Sequence, residues 1–247
     1  MIGMEGGHSI ANSIYALRGF YELGARYMTL THTCNTDWAD SANGPLRNGI
    51  TSFGLQIVQE MNDLGMLVDL SHVSERVMER VLDFTKVPVI FSHSGAKSIC
   101  NHIRNVPDVI LRKVKDNGGI VMVPFYPLFI SDLERLVYQN ITTMTNSTIE
   151  QRRLFLKWQQ DNPSLRSNVS SVVDHIDHIK NIASIDNVGL GGDFDGIPFT
   201  CKGLEDVSKY VQVAAEMVKR GYSEMDIKKV VSLNILRVFE KAESMKK

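Results

Sequence analysis

The sequence has no apolar run approaching the roughly 20 residues that span a bilayer, and its first residues lack the basic-then-apolar order of a signal peptide. As it stands, the chain is expected to be soluble. An excess of positive charge is also missing: 27 Lys and Arg against 28 Asp and Glu leave a net charge of −1. Without a basic field nothing holds a phosphate backbone, which excludes nucleic acid as a partner. Cysteine is scarce, and Cys34, Cys100 and Cys201 are too scattered for a CxxC metal knuckle or a disulfide framework. No internal repeat or low-complexity tract is visible. What is present is 43% apolar and 22% charged residues over 247 positions, a globular balance that suits one large domain or two small ones. Three glycosylation sequons, at Asn140, Asn146 and Asn168, would suit a secreted or luminal protein.

Short β-rich runs alternate with helical patterns, the signature of βα units around a parallel sheet. Residues 27–31, 66–70, 88–92, 119–123 and 188–191 read as strands, and 1–4 as the tail of a sixth. Ile10, Ile14, Leu17 and Tyr21 form a helical stripe, and so do Leu55, Val58, Met61 and Leu64 ahead of a Gly65 stop. Further helices are expected near 74–84, 108–117, 172–182 and 204–220, with a last one from Ser223 through Val231. Residues 131–167 break the rhythm and read as a polar insertion with one helix-like piece near 149–159.

In a parallel barrel, reactive groups gather at the C-terminal ends of the strands. Glu5, His32, His72, His93 and Asp193 each follow one of these strands, and carboxylates with neutral imidazoles are the ligand set of Zn²⁺. Taken singly, each has a plainer reading. A histidine at a strand end packs or caps more often than it ligates, Glu5 could charge the next helix N-terminus, and 191–196 could be a Gly/Asp turn. Recurrence at five strand ends favours chemistry. His102, His175 and His178 fall on helical patterns and read as surface residues, while His8 is expected beside the site without binding metal.

The segments Met4-Glu5-Gly6-Gly7-His8, Leu30-Thr31-His32-Thr33-Cys34-Asn35, Val68-Asp69-Leu70-Ser71-His72, Phe91-Ser92-His93-Ser94, Arg104-Asn105-Val106-Pro107-Asp108 and Gly191-Gly192-Asp193-Phe194-Asp195-Gly196 together resemble the renal, or membrane, dipeptidases. The resemblance implies a TIM-like (β/α)8 barrel of the metal-dependent hydrolase type, here a single catalytic domain over 1–247 without its first two βα units. It also implies zinc-dependent hydrolysis of dipeptides by a metal-activated water. Glu5 matches the carboxylate that bridges two zinc ions, and His72 and His93 match ligands of one of them. His32 and Asp193 match catalytic positions that also meet substrate, His32 toward the oxyanion and Asp193 toward the proton of the leaving amine. Arg104 and Tyr126 match further substrate contacts, Arg104 as a fork for the free carboxylate.

The sequence departs from this pattern in several places. The family's His-x-Asp ligands to the first zinc are not in the chain, so one of the two zincs is expected to be lost or weakly held, and the chain alone to fold poorly or be nearly inactive. Phe129 stands where the family often has a second tyrosine. Cys34 and Cys100 match cysteines that form disulfides in the family, yet Asp132 occupies the place of one partner and the other is not in the chain. Homodimerisation, a lipid anchor and an extracellular or cell-surface location are implied by the resemblance alone. The rival reading is a non-catalytic relative serving as a binding or scaffold protein; a third is a barrel hydrolase of another amide.

Overall fold

The computed structural model describes residues 1–47 and 49–247. Its elements follow the βα rhythm: β1 (Ile2–Met4), α1 (Ile14–Glu22), β2 (Ala25–Thr29), α2 (Ser52–Leu64), β3 (Leu67–Asp69), α3 (Glu75–Phe84), β4 (Ile90–Phe91), α4 (Asp108–Asn117), β5 (Ile120–Val123), α5 (Pro127–Ile130), α6 (Asp132–Met144), α7 (Thr148–Asp161), α8 (Val169–Ile182), β6 (Val188–Leu190), α9 (Tyr210–Lys219), α10 (Glu224–Lys228) and α11 (Asn234–Ser244). All six strands are parallel and lie side by side in chain order, the arrangement of a TIM-like α/β barrel.

Alternation along the strands divides the core in two. Val68, Phe91 and Val121 face the helices, where they join Ile57, Val58 and Met61 of α2, Val77 and Val81 of α3, Ile110 and Val114 of α4, and Ile176 and Ile179 of α8. Their neighbours Leu67, Ile90 and Ile120 face the other way and pack against Val238 and Ala242 of α11. The last helix therefore closes the bottom of the sheet's inner face. Each buried aliphatic side chain contributes about 1.5–3 kcal/mol, so two packed faces hold strands that are too short to be stable by pairing alone.

Local signals set the helix limits. Thr51 Oγ1 accepts the amide of Gly54 at the start of α2, and Gly65 ends it at φ +73°. The final helix does not stop near Val231. A π turn over Lys229–Leu233 joins α10 to α11, and Asn234, which opens α11, donates to the carbonyls of Ile185 and Val188.

The 131–167 segment also differs from expectation. It forms two helices, α6 and α7, rather than one, started by Ser131 and Ser147, whose hydroxyls accept the amides of Glu134 and Glu150. The hairpin owns a separate core of Leu128, Phe129, Ile141, Phe155 and Phe199. Glu134 is fully buried and accepts from Gln159 Nε2 and the Ser167 amide, at 2.8 and 2.9 Å. Aromatic rings dominate this core, with Tyr126, Tyr138, Leu154 and Trp158 packed around it.

Candidate metal centre

Glu5, His72 and His93 converge at the C-terminal ends of β1, β3 and β4. His72 Nε2 lies 3.1 Å from Glu5 Oε1 and 2.8 Å from His93 Nε2, and His93 Nε2 lies 3.4 Å from the same Glu5 oxygen. Among the described residues these three form the cluster of ligand-type atoms able to hold an ion. Both imidazoles are buried while the Glu5 side chain is half-exposed. Burial pushes His72 down to about 4 and His93 to about 3, so both stay neutral at pH 7. The contact with His72 outweighs burial and, with the charges of the neighbouring imidazoles when protonated, holds Glu5 down at about 2 in the metal-free chain. One carboxylate and two neutral imidazoles, with donor atoms about 3 Å apart, fit a small divalent ion whose ligand bonds are about 2 Å. Two imidazole nitrogens at 2.8 Å, ringed by a carboxylate, have lone pairs that a cation would satisfy together.

The loops that aim these groups are tightly tied. Gly6, at φ +112°, donates its amide to Thr29 Oγ1 and so fixes the turn beyond Glu5. His72 itself sits at φ +73°, and its carbonyl accepts from Thr31 Oγ1 and the Ala42 amide. Beyond His93, the Gly95 and Ala96 amides are accepted by Asn105 Oδ1 at 2.7 Å and His175 Nδ1 at 2.9 Å. A side chain on Gly95 would collide with both acceptors.

His175 is thus fully buried, not a surface residue. Its other nitrogen, Nε2, donates to the Ile130 carbonyl, and burial lowers its pKa to about 4. Helical spacing alone could not distinguish it from a solvent-facing histidine; its place among Val172, Val173, Ile176 and Ile179 was the available signal. His178 is partly buried and pairs with Asp108 at 2.8 Å, and His102 lies in the loop before α4, its ring 4.5 Å from that of Phe129. Neither is a free surface residue. His8 is exposed, stands outside the ligand cluster, and has Nε2 3.1 Å from the Asn35 carbonyl.

His32 reaches the rim of the cluster. Its Nε2 is 3.9 Å from Glu5 Oε1, and its ring is 4.5 Å from that of His72. A cavity of about 400 Å³ on one side of the cluster is lined by Glu5, His93, Ser92, Tyr27 and Asp193. A second, of about 280 Å³, is lined by His72, Arg104, His102 and Tyr126, with Arg135 and Tyr138 of α6 as its outer wall. The ligand cluster lies between them.

Arg104 is buried, and its Nε and Nη2 find no acceptor among the described residues. Burial lowers it to about 10, which leaves it charged at neutral pH. Asp193, at φ +61°, is raised to about 6 by burial and then by the charge of Glu5. Burial raises the Tyr126 phenol as well. Asp132 accepts the Asn101 amide and an Arg135 ion pair, and Cys34, Cys100 and Cys201 are free thiols.

A sheet of parallel strands with carboxylate and imidazole side chains clustered at its C-terminal end defines an α/β protein with a candidate metal site. The whole chain, residues 1–247, matches the family model described as membrane dipeptidase, peptidase family M19. The chain belongs to this family. It is 41% identical over 252 residues to Dipeptidase 3 of Rattus norvegicus and equally to that of Mus musculus, covering all of this chain and 45% of each relative. The chain therefore spans a little under half the length of these curated relatives. Among solved structures, the probable dipeptidase PvdM from Pseudomonas aeruginosa superposes with a TM-score of 0.84 at 23% identity, over 98% of this chain and 69% of that one. A metallo peptidase from Rhodobacter sphaeroides, bound to a phosphinate mimic of the dipeptide L-Ala-D-Ala, gives 0.79 at 25% identity over 98% and 63%.

Proposed function

We propose that this chain carries the metal-holding and substrate-orienting parts of a zinc dipeptidase. The observation that carries the reading is the Glu5–His72–His93 cluster, set between two cavities and bordered by a buried arginine without an acceptor. Family membership supports zinc as the ion, with Glu5, His72 and His93 as its ligands and Glu5 free to bridge toward a second one. When bound, zinc supplies Lewis acidity and lowers the pKa of water.

The chain's own side chains then do the remaining work. Arg104 receives the free carboxylate of the dipeptide, since a guanidinium matches a carboxylate with two donors and this one is not already neutralised by contact. Tyr126 closes the same cavity and offers a phenol that stays protonated. His32, at the exposed rim, donates toward the oxygen that gains charge when the peptide carbonyl is attacked. Asp193, with a pKa near 6, holds a proton often enough at neutral pH to deliver it to the departing amine. We assign all 247 residues to one catalytic unit, with the α6–α7 hairpin inserted to wall the carboxylate cavity. An extracellular or cell-surface location accords with the family and with the exposed Asn140, Asn146 and Asn168; no helix among the described residues is long and apolar enough to cross a membrane.

The test is hydrolysis of a dipeptide against its C-terminal amide, with zinc per chain measured by elemental analysis. The acid should be preferred, and Arg104→Ala should lower kcat/KM for the acid by about 100-fold while leaving the amide unchanged. Equal rates for acid and amide in the unsubstituted protein would remove the dipeptidase reading and leave another amide as substrate.

A further inference from the structure

The strands that bear the two histidine ligands are scarcely joined by ordinary sheet bonding. β4 has two residues, and a single pair, Asp69 with Ile90, registers it against β3. Beyond that pair the backbone ladder gives out, just where His72 and His93 must be held in fixed relation. A side chain takes over. Asp69 is fully buried, and its Oδ1 accepts the amide of Ser71 at 2.9 Å and the amide of Ser92 at 3.0 Å. Those two residues immediately precede His72 and His93. Ser71 completes the stitch: its hydroxyl accepts the His93 amide at 3.0 Å and lies 3.2 Å from Ser94 Oγ.

We propose that Asp69 is a positioning residue of the metal centre, one carboxylate oxygen setting the spacing and aim of His72 and His93 through the amides ahead of each. The inference rests on the zinc reading above. Alternation places Asp69 on the same face as Leu67, the inner face of the sheet, so an apolar residue would pack there at less cost than a carboxyl group. The short reach from Asp69 Oδ1 to the Ser71 amide also makes a side-chain turn two residues long, which supports the left-handed backbone at His72. Without that turn a β-carbon at positive φ is disfavoured, and His72 would relax toward an extended backbone that points its ring away from Glu5. Oδ2 has no hydrogen-bond partner among the described residues, so the two amide bonds are the role that the contacts display.

Two substitutions separate the hydrogen bonds from the charge. Asp69→Asn keeps an acceptor oxygen at the same reach and removes the charge; Asp69→Glu keeps the charge and displaces the oxygen by one methylene. Asp69→Ala, which removes the acceptor without adding volume, replaces the latter should the longer side chain prevent folding. Each is titrated with cobalt(II) and followed by its visible absorption, which reports ligand geometry as well as affinity. Asp69→Glu or Asp69→Ala should weaken cobalt binding by about 10- to 100-fold and alter the band, whereas Asp69→Asn should stay within about threefold of the unsubstituted chain with its band shape retained. Loss in Asp69→Asn as great as in Asp69→Ala would overturn the proposal in favour of charge, and unchanged binding in Asp69→Ala would overturn it outright. Cobalt binding that is absent from the unsubstituted chain would instead defeat the zinc reading. Imidazole NMR resonances of metal-free His72 and His93 then decide the matter: preserved in Asp69→Asn and displaced in Asp69→Ala if Asp69 positions them, unmoved in both if it does not.

Discussion

The strand ends that carry Glu5, His72 and His93 differ in construction from the α6–α7 hairpin beside them. At the strand ends, side chains are aimed by hydrogen bonds to loop amides: Asp69 to Ser71 and Ser92, Asn105 to Gly95, His175 to Ala96. In the hairpin, rings fill space, with Phe155 within 6.0 Å of Tyr138, Trp158 and Phe199. Hydrogen bonds fix direction and contribute little net stability each, whereas aromatic burial contributes much stability and little direction. The contrast matches the tasks of the two regions, since a ligand set needs tight aim and a wall needs bulk. The regions meet at His175, which accepts from Ala96 on the metal side and donates to Ile130 at the root of the hairpin.

The contrast can be broken from either side. Phe155 is fully buried at the centre of the hairpin core, and Phe155→Ala should cost about 3–5 kcal/mol of stability in denaturant melts while the folded fraction keeps its zinc affinity. A parallel fall in zinc affinity would show that the hairpin core and the ligand set are one structure. The shared histidine should make the fold sensitive to acid. The imidazole of the unfolded chain takes a proton near pH 6.5, but native His175 does so only near 4, so between these values the unfolded state binds more protons. The His175 contribution, present above pH 6.5, therefore declines as pH falls toward 4, by about 3 kcal/mol at most, and His72, His93 and His102, also lowered by burial, act in the same direction. Stability of the metal-free chain measured across this window should slope less in His175→Asn, which cannot titrate and keeps the acceptor for Ala96. An unchanged slope would place the acid sensitivity elsewhere. On the metal side, Glu5→Ala should weaken zinc binding by about 100-fold and lower the metal-free melting temperature far less than Phe155→Ala does, because this half-exposed carboxylate gives the fold only a solvent-screened contact with His72. A large drop in that temperature would blur the division between aim and bulk.

The same contrast explains what could be seen in the sequence. The strand-end positions of Glu5, His72 and His93 were legible because a strand followed by a polar residue places that residue at the mouth whatever lies around it. The alternation of short strands with amphipathic helices gave the parallel sheet for the same reason. The hairpin was not fully legible: its first helix, α6, has apolar residues at helical spacing, but Leu133, Leu136 and Met144 are exposed, and the core borrows Leu128, Phe129 and Phe199 from outside the segment. His175 and Asp69 were hidden differently. A polar residue in a buried pattern resembles an exposed one until its partners are known, and each satisfies at least one backbone group 23 or more residues away. The π turn over Lys229–Leu233 was invisible too, because apolar spacing does not record a change of helical pitch.

The most direct test of the metal centre is anomalous diffraction at the zinc absorption edge from crystals grown with zinc. A peak about 2.0–2.2 Å from Glu5 Oε1, His72 Nε2 and His93 Nε2 together is the result expected. Zinc bound elsewhere, with these three side chains turned apart, would contradict it.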